Sequence, residues 1–259
     1  MVTGGASGLG RAAAELLFER GHNVAVCDRD DADETIAALR AAAAAAGCGG
    51  TAPPGALYVA ADVTDPGSVR AAVDATVAAF GGLHGVVHCA GVATVGLTVG
   101  ADGAPGDAAA FELAVRVNLY GTFLVSSIAA AAMARQEPGA DGGRGCIITV
   151  ASVAGLEGQR GQVGYAASKG GVIGMTLPMA RDLGRHGIRV MCIAPGVIDT
   201  PMMQAASESV KAGLLRMVAG PRRFGRPAEF AALAAHIFEN AYLNGEVIRL
   251  DAGVRFANL

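Results

Sequence analysis

The sequence predicts an α/β fold in which one doubly wound parallel sheet carries helices on both faces. Short apolar runs alternate along the chain with longer segments rich in Ala and Leu that are compatible with helices. The short runs are continuously apolar, which is typical of strands buried on both faces of a parallel sheet. No Pro- or Ser-rich linker interrupts the 259 residues, so one domain over residues 1–259 is expected.

The elements can be placed in chain order. A glycine-rich loop begins at Thr3, so any strand before it is very short. The six clear strand candidates span residues 23–27, 56–60, 85–89, 146–150, 188–193 and 246–250. The helices expected between them span residues 9–20, 31–46, 66–80, 107–135, 163–185 and 227–240. Strand–helix–strand repetition of this kind predicts right-handed crossovers between parallel strands.

Composition excludes several classes of protein. Hydrophobic residues make up 52% and charged residues 17%, which rules out a disordered chain. The net charge of −3 gives no argument for nucleic acid or an anionic membrane surface. No uninterrupted apolar stretch reaches about 18 residues, so no membrane span is expected. No signal peptide opens the chain, and five cysteines without metal-ligand spacing favour the reducing cytoplasm.

The glycine loop has the spacing of a phosphate-binding turn. Gly4, Gly8 and Gly10 give G-x-x-x-G-x-G immediately before a helix, where free amides and the helix dipole favour a pyrophosphate. Asp28 follows the next strand, and an acid there accepts ribose hydroxyls and repels a 2′-phosphate, which favours NAD. Arg29 instead favours NADP, because an arginine there can bind a 2′-phosphate. The alternative for the glycine loop is an ordinary glycine-rich turn, and the alternative for Asp28 is a solvated carboxylate without a ligand.

A tyrosine and a lysine share one helical face. Tyr165 and Lys169 are four residues apart, and a neighbouring cation would lower the pKa of the phenol toward that of a general acid or base. Ser152 ends a strand thirteen residues earlier, and Asn118 is a polar residue inside a helical pattern. Each feature alone has an ordinary structural explanation. Their order along the chain, after the glycine loop and the acid, favours catalysis.

Seven motifs stand in order along the chain: TGGASGLG at 3–10, Asp62-Val63, Cys89-Ala90-Gly91, Asn118, Ser152, Tyr165-x-x-x-Lys169 and Pro195-Gly196-x-x-x-Thr200. On these motifs the whole chain after Met1 resembles the classical short-chain dehydrogenase/reductase family, whose members have a Rossmann-type sheet. Residues 151–196 and 243–255 resemble most closely the members that oxidise 3-hydroxyacyl-CoA thioesters.

The resemblance implies a role for each matched residue. It assigns catalysis to Asn118, Ser152, Tyr165 and Lys169. It assigns the binding of NAD to Gly4, Ser7, Gly8, Leu9, Asp28, Asp62, Val63, Cys89, Ala90, Gly91, Tyr165, Lys169, Pro195, Gly196, Val197, Ile198 and Thr200. It implies no metal site, and it implies a homotetramer.

The expected activity is reversible NAD-linked oxidation of a secondary alcohol, with 3-hydroxyacyl-CoA as the first substrate. A hydroxysteroid or another bulky alcohol, and a ketoreductase, remain open within enzymes. A non-catalytic NAD-binding scaffold subunit remains open from another class. The segment 201–218, rich in Met and Leu, is predicted to form a helical lid over an apolar substrate; ordinary helix packing is the alternative.

Two departures from the family pattern stand out. His88 replaces an asparagine that ties strands together in many members, which puts local packing in doubt more than chemistry. The insertion 93–107 has the length found in acyl-CoA enzymes, but it carries Asp102 and Asp107 and lacks their lysines. The phosphates of CoA would then have to meet the cluster Arg222, Arg223 and Arg226, which is otherwise a solvated loop.

Overall fold

The computed structural model describes residues 1–45 and 54–256, and within them seven parallel strands form one sheet in the order β3-β2-β1-β4-β5-β6-β7. In chain order the strands are β1 (Val2–Thr3), β2 (Val24–Asp28), β3 (Ala56–Ala60), β4 (Gly85–His88), β5 (Gly145–Val150), β6 (Ile188–Pro195) and β7 (Val247–Leu250). The strand order reverses at β1, where the chain crosses from one side of the sheet to the other. The predicted doubly wound α/β fold is confirmed.

The helices within the described residues cover the sheet. They are α1 (Gly8–Glu19), α2 (Asp33–Ala45), α3 (Pro66–Phe80), α4 (Ala108–Ala114), α5 (Gly121–Met133), α6 (Val163–Gly184), α7 (Pro201–Gln204), α8 (Glu208–Arg216) and α9 (Pro227–Glu239). A π-helical segment, Val115–Tyr120, joins α4 to α5, and a short 3₁₀ turn, Val153–Gly155, follows β5.

Both faces of the sheet are buried because successive strand residues point to opposite sides. On one face Val87 and Ile148 pack in a cluster with Phe230 of α9. On the other face Val86 and Ile147 pack with Met133 at the end of α5. This arrangement explains why the strands read as continuous apolar runs rather than alternating ones.

The sequence misplaced some element boundaries. The helix expected over residues 107–135 is interrupted by the π-helical segment, and β6 continues two residues past the predicted end to Pro195. The helix expected over residues 31–46 begins at Asp33, and its last predicted residue lies outside the described range. The expected short first strand is Val2–Thr3, which pairs with β2 on one side and β4 on the other.

One helical run, Ala108–Met133, is long and apolar enough to cross a membrane by length and composition alone. Of the 18-residue apolar stretch within the run that meets this test, 44% is buried inside the protein. Core helices of globular proteins meet the same test, so the run is weak support for a membrane span.

Candidate active site

The predicted site residues gather at one edge of the sheet, where the carboxyl ends of the parallel strands meet. In open α/β sheets this edge, next to the point where strand order reverses, is where ligands bind. The loops that follow β1, β2, β4, β5 and β6 all open onto it. The first residues of α1 and α6 border it as well.

The glycine loop packs too tightly for a side chain at Gly4 and at Gly10. Gly4 has a φ of +65°, and a Cβ there would lie 2.7 Å from the backbone nitrogen of Ala90. A Cβ on Gly10 would lie 2.1 Å from the carbonyl oxygen of Gly4. Ser7 stands at the N-cap of α1 and makes no capping bond with its side chain, and Leu9 follows in the first turn. The loop therefore brings bare backbone amides to the edge of the sheet, which suits a pyrophosphate.

Asp28 stands at the end of β2, beside the glycine loop. Its Oδ2 accepts a hydrogen bond of 3.0 Å from the amide of Ala6, and its Oδ1 accepts one of 3.2 Å from the amide of Asp30. These bonds fix the carboxylate at the place where the adenine ribose of a dinucleotide would lie. Arg29 follows on the exposed side of the turn.

Two further predicted binding segments flank this region. After β3, the Asp62 carboxylate accepts bonds of 2.8 Å from both the amide and the hydroxyl of Thr64, and these bonds lower its pKa. Val63 is buried against Gly121. After β4, Cys89, Ala90 and Gly91 form a turn whose backbone faces the glycine loop.

Asn118 lies in the π-helical segment and is fully buried. Its Oδ1 accepts 2.8 Å from the amide of Val92, and its Nδ2 donates to the carbonyl of Val92 at 2.9 Å and to the Ser168 hydroxyl at 3.0 Å. The side chain therefore holds the turn after Gly91 to α6. These bonds fix the position of the Asn118 amide, and its catalytic role stays a prediction.

Ser152 and Tyr165 come together from β5 and α6. Ser152 follows β5, and its Oγ accepts a bond of 3.1 Å from the amide of Ala154 at the start of the 3₁₀ turn. Burial raises the pKa of the Tyr165 phenol above its ordinary value of 10.0, and a hydrogen bond with the Ser152 side chain acts in the opposite direction. The two hydroxyls form a pair that can hold one oxygen of a substrate.

Lys169 lies one helical turn beyond Tyr165, with its Nζ 5.8 Å from the centre of the tyrosine ring. The ammonium donates 2.8 Å to the carbonyl oxygen of Val150. Burial lowers its pKa to about 8, which leaves it charged at neutral pH. The expected lowering of the Tyr165 pKa by Lys169 is not found, because desolvation of the phenol dominates.

The far side of the edge is formed by the residues that follow β6. Gly196 lies so close to Asp251 that a Cβ would be 2.8 Å from its Cα. Val197 and Ile198 are buried beneath the edge, and Thr200 caps α7 through its hydroxyl. Thr200 also lies opposite Gly8 of the glycine loop. The segment 201–218 is helical as predicted and contains two short helices, α7 and α8; its role as a lid stays a prediction.

The buried side chain of His88 is hydrogen-bonded to Thr3. Its Nδ1 lies 2.7 Å from the hydroxyl of Thr3, and the Thr3 oxygen in turn accepts a bond from the amide of Ala90. Burial lowers the pKa of His88 to about 3, so the imidazole is neutral at physiological pH. His88 therefore ties the glycine loop to the turn after β4.

Sequence reasoning missed several residues that hold the site together. Val92 and Ser168 anchor Asn118, and neither carries a signal in a single sequence. Arg249 and Glu157 form an ion pair behind the loop that connects Ser152 to Tyr165. The two residues lie 92 positions apart in the chain, and no pattern in the sequence pairs them.

No group of three His, Cys, Asp or Glu side chains within residues 1–45 and 54–256 is placed to hold a metal ion. The cysteines of these ranges, Cys27, Cys89, Cys146 and Cys192, are free thiols. Cys48 lies outside the described residues. Burial raises the pKa of Cys89 to about 12, so this thiol beside the site is not a nucleophile at neutral pH.

The glycine cradle, the acid after β2 and the Ser–Tyr–Lys cluster define a dinucleotide-linked dehydrogenase of the Rossmann type. A sequence model of the family described as short chain dehydrogenase matches residues 1–211. The chain belongs to the short-chain dehydrogenase family.

Several proteins similar to this chain over nearly their full length are named as dehydrogenases. The human 3-hydroxyacyl-CoA dehydrogenase type-2 is 43% identical over 98% of this chain and 94% of its own length. The ipsdienol dehydrogenase of Ips pini is 34% identical over 98% of this chain and 96% of its own. The crystal structure of 3-hydroxyacyl-CoA dehydrogenase type-2 from Mycobacterium avium is 40% identical, covers 99% of this chain and 95% of that chain, and superposes with a TM-score of 0.87.

Proposed function

We propose that this dehydrogenase uses NAD to interconvert a 3-hydroxyacyl-CoA and a 3-ketoacyl-CoA. The observation that carries the proposal is the convergence of Ser152, Tyr165 and Lys169 at the edge of the sheet beside the glycine cradle. The substrate class is supported by the names of the human and Mycobacterium avium relatives, which are 43% and 40% identical, whereas the ipsdienol dehydrogenase is 34% identical.

The residues at the cofactor end fit a dinucleotide. Gly4 and Gly10 let the backbone of the loop pack closely on Ala90 and on itself, where any Cβ would collide, and the first amides of α1 border this loop. Asp28 would accept the two hydroxyls of the adenine ribose, and its negative charge would oppose a 2′-phosphate. Bound NAD would supply the acceptor for the hydride removed from the alcohol carbon.

In the proposed mechanism, Tyr165 as its phenolate takes the proton of the substrate hydroxyl. Ser152 donates a hydrogen bond to the same substrate oxygen and holds it near the phenol. Lys169 remains charged at neutral pH and stabilises negative charge on the phenolate and on that oxygen. Asn118 holds the turn at Val92 against α6 and so keeps this geometry fixed.

Two features bear on the acyl-CoA end of the substrate. A small cavity of about 180 Å³ lies between the insertion 93–107 and the start of α6, and Gly164 on its wall precedes Tyr165. The guanidinium of Arg223 donates a hydrogen bond of 2.6 Å to Glu229 and another to the carbonyl of Phe224. These bonds within the protein occupy the side chain. Arg222 and Arg226, both exposed, are the members of this cluster proposed to meet the CoA phosphates.

A bulky uncharged alcohol such as a hydroxysteroid is the second candidate. The insertion 93–107 exposes Val95, Leu97 and Val99, with Val95 80% accessible, which would suit an apolar substrate. Its two acids are used as local caps, Asp102 at Ala104 and Asp107 at α4.

The decisive assay follows the appearance of NADH with 3-hydroxybutyryl-CoA, free 3-hydroxybutyrate and a hydroxysteroid. Preference for the thioester supports the proposal, whereas turnover of the steroid alone moves the function to the second candidate. NADH binding without any turnover would indicate a scaffold subunit. Tyr165→Phe is expected to abolish turnover and to leave NADH affinity unchanged; normal turnover by this variant would overturn the mechanism.

We further propose a single domain, a cytoplasmic location and a homotetramer. The free thiols support a reducing compartment. The outer surfaces of α4, α5 and α6 expose apolar side chains that are 44–53% accessible, namely Phe111, Leu113, Phe123, Val163 and Leu177. Such a surface suits burial against another copy. Sedimentation should give about four times the 25.8 kDa chain mass; a monomer would refute the tetramer.

A further inference from the structure

A set of ion pairs lies behind the loop that joins Ser152 to Tyr165, here called the catalytic loop (152–162). Arg249, in β7, binds Glu157 of this loop through Nη1 at 2.6 Å. Its Nε donates 2.8 Å to Asp251, and its Nη2 donates 2.9 Å to the carbonyl of Val254. All three nitrogens of the guanidinium are therefore engaged, and the side chain is only 23% exposed.

Glu157 binds the end of the chain through its second oxygen as well. That oxygen accepts a bond of 3.3 Å from the amide of Phe256, and the guanidinium of Arg255 lies 3.4 Å from the first. The bond with Arg249 is the main reason that the pKa of Glu157 is lowered. Glu157 is therefore a carboxylate at neutral pH and joins the catalytic loop to residues 249–256, here called the C-terminal segment.

The catalytic loop packs directly on the helix that carries Tyr165 and Lys169. A Cβ on Gly155 would lie 2.7 Å from the carbonyl carbon of Lys169 and 2.8 Å from the amide of Gly170. Because these contacts are between backbones, a shift of the loop must also shift Ser152 relative to α6.

The same C-terminal segment holds the base of the segment 201–218. Val254 is fully buried in one cluster with Val153 of the catalytic loop and Val218. The amide of Gly220 donates 3.2 Å to the carbonyl of Ala252, whose φ of +50° is unusual for a residue with a side chain. Strained backbone of this kind persists where surrounding contacts determine it.

The C-terminal segment also borders the cofactor side of the site. The amide of Gly196, directly after β6, donates 2.9 Å to the carbonyl of Leu250. A side chain at Gly196 would collide with Asp251. One short stretch of chain thus contacts the catalytic loop, the turn after β6 and the base of 201–218.

We propose that Arg249 is a positioning residue that couples the catalytic loop to the base of the segment 201–218. Through this coupling Ser152 and the segment 201–218 reach their working positions together. This inference rests on the proposed function, because its kinetic consequence needs a substrate that is turned over. Arg249 touches neither substrate nor cofactor in this scheme; it acts through Glu157 and the C-terminal segment.

Arginine is required at this position by geometry. Its planar fork binds Glu157, Asp251 and the carbonyl of Val254 at once, whereas the ammonium of a lysine is a single point charge on a flexible stem. Arg249→Lys is therefore expected to keep the charge and lose the coupling. Glu157→Gln removes the charge at the other end of the pair and retains an oxygen that can accept hydrogen bonds.

The experiment compares Arg249→Lys and Glu157→Gln with the matched control Arg20→Lys. Arg20 pairs with Glu239 at the opposite edge of the sheet. In both test variants we expect kcat with 3-hydroxybutyryl-CoA to fall about tenfold, since small misplacements of reacting groups have effects of this order. The Kd for NADH should change by less than about twofold, and the control should match the wild type in both.

Hydrogen exchange provides a readout that needs no substrate. Gly220 and Glu157 are far apart in the sequence. The amide of Gly220 should nevertheless exchange about tenfold faster in Glu157→Gln, because this substitution loosens the contact of the C-terminal segment with Val218. A purely local structural role would lower the melting temperature and leave both kcat, measured well below that temperature, and Gly220 exchange unchanged.

The outcomes separate the two proposals. If wild-type protein turns over no thioester but Gly220 exchange rises in Glu157→Gln, the coupling stands and the proposed substrate fails. If the wild type is active and the test variants keep its kcat and its Gly220 exchange, the coupling is overturned. Should Arg249→Lys fail to fold, Glu157→Gln alone decides between these results.

Discussion

Replacing Lys169 by methionine should stabilise the protein while it abolishes activity. Lys169 is 6% exposed as a residue, and its ammonium donates a hydrogen bond to the carbonyl of Val150. Burial is the main reason that its pKa falls from 10.5 to about 8, and the nearby thiols of Cys192 and Cys89 act weakly in the opposite direction. The folded state therefore holds a desolvated charge that the unfolded chain would hydrate.

The magnitude follows from linkage. One pKa unit corresponds to about 1.4 kcal/mol, so the fall from 10.5 to about 8 costs about 3 kcal/mol of folding free energy at neutral pH. Methionine keeps the length of the side chain but loses the bond to Val150, which is worth about 1 kcal/mol. Lys169→Met should therefore raise the free energy of unfolding by about 2 kcal/mol at neutral pH.

The free energy of unfolding of the wild type should rise with pH above the pKa of about 8 of Lys169. Between about 8 and 10.5 the unfolded lysine keeps its proton and the folded one has lost it, so wild-type stability gains about 1.4 kcal/mol per pH unit from this group. The variant lacks this gain, and its advantage should vanish as the pH rises. Buried thiols with raised pKa values, such as Cys27 and Cys146, titrate in both proteins and cancel in the difference.

Urea unfolding of wild type and Lys169→Met at a fixed protein concentration, from about pH 7 to about pH 10, measures this difference. Lys211→Met, which removes the other lysine from the exposed helix α8, controls for the loss of a lysine as such. A difference that stays constant with pH, or a variant less stable than wild type at every pH, would refute the reasoning.

Two further predictions concern the cradle and the core. Gly10→Ala should weaken NADH binding at least about tenfold, because its Cβ would lie 2.1 Å from the backbone oxygen of Gly4 and the loop must move; fluorescence titration measures this, and an unchanged Kd would contradict it. Phe230→Ala should lower the free energy of unfolding by about 3–5 kcal/mol, because this fully buried ring joins α9 to one face of the sheet. A loss below about 1 kcal/mol in urea unfolding would show that the core refills the space.

The sheet and its edge could be predicted from the sequence because their signals are local. Continuous apolar runs such as residues 188–193 mark strands buried on both faces, and a glycine loop before a helix marks the cradle. Parallel strands then bring residues as distant as Asp28 and Ser152 to one edge. The helical spacing of Tyr165 and Lys169 is also local, and the structure keeps the two side chains on one face.

The remaining features depend on contacts between distant segments. The π-helical turn at Asn118 is stabilised by Val92 in the loop after β4 and by Ser168 in α6, so a helical pattern alone could not reveal it. Arg249 looks like an ordinary charged residue of an edge strand until folding brings Glu157 to it. The direction of the Tyr165 pKa shift also depends on the folded structure. Burial of the phenol outweighs the effect of Lys169, which is the only effect that the sequence spacing indicates.

The raised pKa of Tyr165 has a consequence for how the site is activated. With this raised pKa the phenol keeps its proton at neutral pH, although charged Lys169 lies one turn away. If the phenolate is the working base, a further positive charge must reach the site, and the oxidised nicotinamide carries one whereas the reduced ring does not.

Tyr165 should therefore titrate at different pH values in different states of the enzyme. The phenolate absorbance of wild type minus that of Tyr165→Phe isolates this residue from the other three tyrosines. Its midpoint should lie above pH 10.0 in the cofactor-free protein, fall when oxidised NAD is added, and change little with NADH. If the midpoint is the same in all three states, Lys169 and Ser152 alone must set the basicity of the phenol. A midpoint near neutrality without cofactor would show that Lys169 outweighs burial, contrary to the structure.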